Sequence, residues 1–225
     1  GDAITTGNNN IAIGIDAMSA NTVGDRNTAV GHYALTNYNP SSNEDSLLSA
    51  FGYAALNANT TGAYNTGLGA YTLTANTTAQ HNTAIGYYAM AVNTTGGENV
   101  AVGNFALDAS NSTGNTALGR SALTALTTGS YNVAVGRYAL SSQTTASDNV
   151  AIGHLALAAN TTGTDNVAVG ANALDANISA SDNTAIGDNA LGANTTGGEN
   201  AALGSSALVT NTTGTENTAV GAYAL

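Results

Sequence analysis

Cysteine, lysine and tryptophan are absent from this 225-residue chain, proline occurs once and arginine three times. Without cysteine there is no disulfide scaffold and no thiolate-held metal, and the redox compartment is left open. Without lysine, Arg26, Arg120 and Arg137 stand against 14 acidic residues, for a net charge of -11. Phosphate backbones and anionic membrane surfaces are repelled by such a balance, so no nucleic-acid partner is expected. No apolar run approaches the roughly 20 residues that span a bilayer, and no basic segment leads into an apolar one near the start, so no membrane insertion is expected in this segment. Charge is scarce at 8%, yet 43% of residues are hydrophobic, too many for a solvated disordered chain. Those apolar residues are small or aliphatic, chiefly Ala, Val, Ile and Leu.

What the chain does have is a repeat. A glycine preceded by an aliphatic or aromatic residue recurs at Gly14, Gly31, Gly52, Gly69, Gly86, Gly103, Gly119, Gly136, Gly153, Gly170, Gly187, Gly204 and Gly221. Ten of the twelve intervals are 17 residues, the others being 21 before Gly52 and 16 before Gly119. The consensus N-[TV]-A-[VI]-G-x-x-A-L-x-A-N-T-T-G-x-[DE] is clearest over 149–165 and 166–182. A period of this length makes one solenoid coil, so residues 1–225 are expected to be a single repeat solenoid of 13 coils. Each coil holds two short apolar segments, A-[VI] and A-L, separated by Gly, Asn and Thr. Helices of ordinary length need about 11 residues of periodic pattern, so both segments are expected to be short strands. Coils stacked about 4.8 Å apart in parallel sheets predict an all-β rod about 60 Å long.

The invariant glycine is expected where the backbone needs positive φ or close passage. Asparagine four residues earlier, missing only at Leu48, is expected to tolerate the left-handed region and to form amide ladders. Asn149, Gly153, Asn166, Gly170, Asn183 and Gly187 represent these structural turn columns. In A-[VI] both faces of the strand are apolar, and strands apolar on both faces need cover on both. The expectation is that large residues such as Val135, Ile152 and Val169 fill the coil's interior opposite the Leu140, Leu157 and Leu174 ladder. The alanine column, Ala134, Ala151, Ala168, Ala185, Ala202 and Ala219, would then pack against another chain in a closed homo-oligomer.

N-T-A-V-G and N-V-A-I-G followed by a small residue three positions on resemble the head repeats of trimeric autotransporter adhesins. The longer form with A-L and N-T-T-G resembles repeat regions of phage and virus tail-fibre proteins. The resemblance covers all 13 coils. It implies a left-handed parallel β-roll, three chains to a fibre, a place outside the cell or on a cell surface or virion, and a structural or adhesive role. Relative to the adhesin pattern, the coil is longer and Leu replaces a polar residue in its second segment.

Chemistry is sparse. His32, His81 and His154 fall at different repeat positions, serines lie in no nucleophile elbow, and no catalytic, cofactor or metal residues are assigned. Asp148, Asp165, Asp182, Glu199 and Glu216 share one column with Glu98, read as a solvated acidic edge in preference to a cation site. One carboxylate column offers no opposed pair across a sugar groove, which argues against a polysaccharide-cleaving tailspike. Thr pairs such as Thr161 and Thr162 sit beside a turn glycine, so an ice-binding face is not indicated. N-x-[ST] sequons at Asn59, Asn76, Asn93, Asn111, Asn160, Asn177, Asn194 and Asn211 are expected by chance in a repeat built of Asn and Thr.

Two departures are candidate partner-binding sites. A loop insertion around 36–48 carries Asn39, Pro40, Glu44 and Asp45, and loops on rigid scaffolds often bear function. Tyr71, Tyr88 and Phe105 share a column two residues after the glycine and suit a cell-surface glycan or receptor, or else stack on one another. The sequence thus predicts a non-enzymatic, self-associating fibre segment. A glycan- or receptor-binding adhesin head is the alternative.

Overall fold

The computed structural model describes residues 1, 3–42 and 45–225, which form two compact units, Gly1–Thr113 and Gly114–Leu225. Both are all-β parallel solenoids without helix among the described residues. The first unit holds β1 (Ile11–Ile13), β2 (Thr28–Val30), β3 (Ser49–Phe51), β4 (Thr66–Leu68), β5 (Thr83–Ile85) and β6 (Val100–Val102). The second holds β7 (Thr116–Leu118), β8 (Val133–Val135), β9 (Val150–Ile152), β10 (Val167–Val169), β11 (Thr184–Ile186), β12 (Ala201–Leu203) and β13 (Thr218–Val220). Within each unit every strand pairs in parallel with the next, and equivalent residues meet, as Ala151 meets Ala168 and Ala168 meets Ala185. The four extra residues of the insertion leave this register intact, since Ala29 still meets Ala50.

One strand per coil forms, not two. The A-L segment is a turn, because the residue two after the glycine and the leucine after it are both left-handed. In the second unit Leu140, Leu157, Leu174 and Leu191 have φ of 51, 51, 50 and 51°. A bulky residue there costs about 1–2 kcal/mol. Burying the side chain returns about 1.5–3 kcal/mol, and these leucines are wholly buried. The turns also stack by hydrogen bonds, Leu140 N donating to Ala156 O at 3.0 Å and Leu157 N to Ala173 O at 3.0 Å. These segments therefore stack like strands while each is locally a turn.

The faces of the strand are reversed from the expectation. Ala151 is 0% exposed inside its coil, whereas Ile152 is 40% exposed on the outer face. The interior is too thin for two large columns: the strand alanine packs towards the alanine before the leucine, so only one side supplies a large residue. One coil shows this directly. Gly67 replaces the strand alanine and Thr72 the opposing one, and a Cβ on Gly67 would lie 2.8 Å from Thr72 Oγ1. Volume lost on one wall is regained on the other. The proposed interchain contact through the alanine column is thereby excluded.

Asparagine forms the expected amide ladder but does not take the expected left-handed backbone. Neither asparagine column is left-handed; the residue before Asn149, Asp148, takes φ of 59° instead. Asn166 is fully buried, its Nδ2 donating to Ala180 O at 2.8 Å and to Asn149 Oδ1 at 3.2 Å, and its Oδ1 accepting from Asn183 N at 3.1 Å. A second amide column runs beside the first at the N-T-T-G asparagine. There Asn160 Nδ2 donates to Gly163 O at 2.9 Å, and its Oδ1 accepts from Gly163 N and from Asn177 Nδ2, both at 3.1 Å. These amides replace water for turn groups that would otherwise be buried unpaired.

Candidate functional site

Three surfaces carry the candidate residues. The first is the outer face of the strands, whose two outward columns include no charged residue in either unit. Its aliphatic column is substantially exposed, with Leu68 at 48%, Leu118 at 45% and Ile186 at 39%. Thr or Val fills most of the flanking column, as at Thr66, Val150 and Thr184, with Ile11, Ser49 and Ala201 at the other places.

The second surface is aromatic and lies in the first unit. Tyr71, Tyr88 and Phe105 do come together: the Tyr71 and Tyr88 rings are 4.8 Å apart and tilted, and Tyr88 stacks on Phe105 at 5.8 Å. The strip is wider than that column. Tyr87 meets Tyr88 at 4.6 Å and Phe105 at 5.7 Å, Tyr53 meets Tyr71 at 5.1 Å, and Tyr33 and His32 continue it, Tyr33 meeting Tyr53 at 6.0 Å. The second residue after the glycine is left-handed, as at Tyr71 with φ of 59° and Tyr88 with φ of 55°, and the chain turns there so that both positions following the glycine emerge on one edge. The additional residues were missed because only one column was followed; the neighbouring column His32, Tyr53 and Tyr87 is visible in the aligned repeats. Tyr71's phenol is pushed above its usual range, by desolvation first and then by Tyr53, Tyr88 and Tyr87. It remains a neutral hydrogen-bonding group beside exposed ring faces.

The insertion is the third. Tyr38 and Leu48 occupy the places of the two corner asparagines and are buried, with Tyr38 and Ser46 hydroxyls hydrogen-bonded to one another. Pro40 is buried as well, so only part of the segment projects. Asn39 is exposed, and its Oδ1 accepts from Thr22 N at 3.2 Å and Thr22 Oγ1 at 2.7 Å. Asp45 pairs with Arg26. Glu44 lies outside the described residues. The insertion and the aromatic strip share the first unit, yet the placed loop side chains are engaged in holding the loop to its neighbouring coils.

The remaining columns are spent on structure. Asp148, Asp165, Asp182, Glu199 and Glu216 are exposed at the left-handed corner with φ of 57–62°. Among the described residues no three acidic, histidine or cysteine side chains gather as a metal site. Thr161 Oγ1 donates to Ile178 O at 2.9 Å and Thr195 Oγ1 to Thr212 O at 2.9 Å, so these hydroxyls serve the stack. Six sequon asparagines, Asn59, Asn76, Asn93, Asn160, Asn177 and Asn194, are wholly buried, while Asn111 is exposed. No helix among the described residues is long and apolar enough to cross a membrane. Compared with family models, curated proteins and solved structures, the chain finds no match.

Proposed function

We propose that this chain is a structural segment of an extracellular or virion fibre, in which copies associate through the outward face of the strands. The observation that carries this reading is the charge-free aliphatic face described above. Copies of a chain of net charge -11 repel one another, and close approach costs least where neither presents a charge. An exposed, uncharged face with an apolar column along it marks an interaction site, and each Å² of apolar surface covered returns roughly 25 cal/mol. A homotrimer is the closed assembly that the motif resemblance to adhesin heads and tail fibres implies. Its contact is now drawn through residues such as Ile152 and Ile186 in place of the alanines. Function then resides in length, rigidity and repeated columns, with no reaction performed. Sedimentation equilibrium tests this: three times 22.1 kDa is expected, and a stable single-chain mass at micromolar concentration rejects it.

The second reading, a glycan- or receptor-binding adhesin head, is favoured by the aromatic strip. Exposed ring faces at successive coils suit the apolar faces of sugars. Binding on a glycan array that disappears when Tyr71, Tyr88 and Phe105 are changed to alanine would support it; an array without signal removes it.

A further inference from the structure

Two of the chain's three arginines and one of its three histidines stand side by side. Arg120, Arg137 and His154 occupy the position after the glycine in three consecutive coils of the second unit, and all are exposed. Arg137 Nη2 lies 2.9 Å from His154 Nε2. A guanidinium only donates, so Nε2 accepts and the imidazole carries its proton on Nδ1. Both guanidinium groups lie over the ring of Tyr138, at 5.6 Å for Arg120 and 5.3 Å for Arg137. Among the described residues neither has a carboxylate partner, in contrast to Arg26, which is paired with Asp45.

Stacking in register sets the two arginine backbones only about 4.8 Å apart, where like charges repel. A strongly acidic chain that nevertheless places its unpaired cations together, and steadies them on one aromatic ring, presents a local positive site. We propose that Arg120, Arg137, Tyr138 and His154 form a binding site for a carboxylated sugar. The two guanidinium forks match a carboxylate in bidentate geometry, and the guanidinium planes carried by the Tyr138 ring give a flat surface for the sugar ring. The next two residues of the column are Ala171 and then Asp188, which confine the positive site to about three coils, roughly 10–15 Å. A ligand with its charge concentrated there gains from both arginines. A long polyphosphate would extend over acidic surface and lose, within a Debye length of about 8 Å, what it gained.

The test uses the full chain and two probes, a disaccharide of glucuronate and N-acetylglucosamine and its carboxyl-reduced counterpart, titrated by calorimetry. Saturable binding of the acidic probe is expected, at least about tenfold tighter than the reduced one and weakened by added salt. Arg120→Gln and Arg137→Gln should each weaken it about tenfold, and the pair should abolish it. Arg137→Lys should keep part of the affinity, because charge stays and the fork is lost. Arg26→Gln should change nothing. All are exposed positions, and an unchanged melting transition verifies the fold. Equal affinity for both probes, no binding of either, undiminished binding by the double variant, or competition by inorganic sulfate at matching affinity would each overturn the proposal.

Discussion

Gly153→Ala isolates the feature on which coil stacking most depends. Gly153 has φ of +143°, which alanine adopts only at a cost of about 1–3 kcal/mol. A Cβ added there would lie 2.2 Å from Gly170 O and 2.5 Å from Gly170 C, both backbone atoms of the next coil. Restoring an ordinary contact of 3.4 Å means moving the coils apart by roughly 1 Å. That movement loosens the bonds between these two coils, Gly170 N to Ile152 O at 2.8 Å and Asn172 N to His154 O at 2.9 Å, each worth about 1 kcal/mol net. Together the local cost is about 3–5 kcal/mol. Gly198→Ala is the matched control: its φ is not in the positive region, and its added Cβ meets only Ser181 O, at 3.1 Å. Because each solenoid coil contacts only its neighbours, global melting alone would blur the result. Hydrogen exchange read by mass spectrometry should therefore show lost protection over 136–187 in Gly153→Ala and near-parent protection in Gly198→Ala. Equal protection in the two variants would refute the steric argument.

Asn166→Ala should destabilise by about 2–4 kcal/mol, seen as a lowered denaturation midpoint, because Ala180 O and Asn183 N lose their buried partner. Ile152→Glu with Ile186→Glu should leave the circular dichroism of a folded solenoid while light scattering falls to the mass of one chain. An unchanged mass would remove the outer face as an interface. Asp108 has a buried Oδ1 without a partner, and desolvation raises its pKa above the usual aspartate value against a weaker lowering by the Ala91 backbone. A raised folded pKa means that the folded state holds the proton more tightly. This group's contribution to stability is therefore full below the ordinary aspartate pKa and is lost as pH rises through the folded value. Asp108→Asn should thus raise the melting temperature at pH 7 and flatten that part of the pH profile; a lowered melting temperature at pH 7 would contradict it.

Period and architecture were legible because a solenoid writes its geometry once per coil: thirteen glycines in register require equivalent backbone positions to meet. Which face turned inward was not legible. Ala151 and Ile152 are both apolar, and hydropathy alone places the larger one inside. The deciding quantity is the width between walls, for which the Gly67 and Thr72 exchange was the only trace in the sequence. Leucine in a left-handed turn was hidden for a similar reason: propensity disfavours it, and burial outweighs the propensity. The aromatic strip was half seen, since Tyr71, Tyr88 and Phe105 form one column and the second column shares their edge only because the chain turns between them. That Arg120 and Arg137 are neighbours follows from their 17-residue spacing, whereas their sharing of the Tyr138 ring depends on how the chain turns after the glycine.

The buried amide columns also bear on how the protein ages. Asparagine loses its amide when the next backbone nitrogen attacks the side-chain carbonyl and closes a five-membered ring, a recognised route of thermal damage. Ring closure is easiest before glycine, and no asparagine in this chain is followed by glycine. Closure also requires the carbonyl to swing towards the backbone, whereas the Asn166 amide is held on both sides by Asn183 N and Ala180 O. While folded, a chain with asparagine in nearly every coil should therefore deamidate slowly. Converting one such amide to a carboxylate would set a buried negative charge against carbonyl oxygens of the adjoining coils, so the packing protects the residues on which it depends.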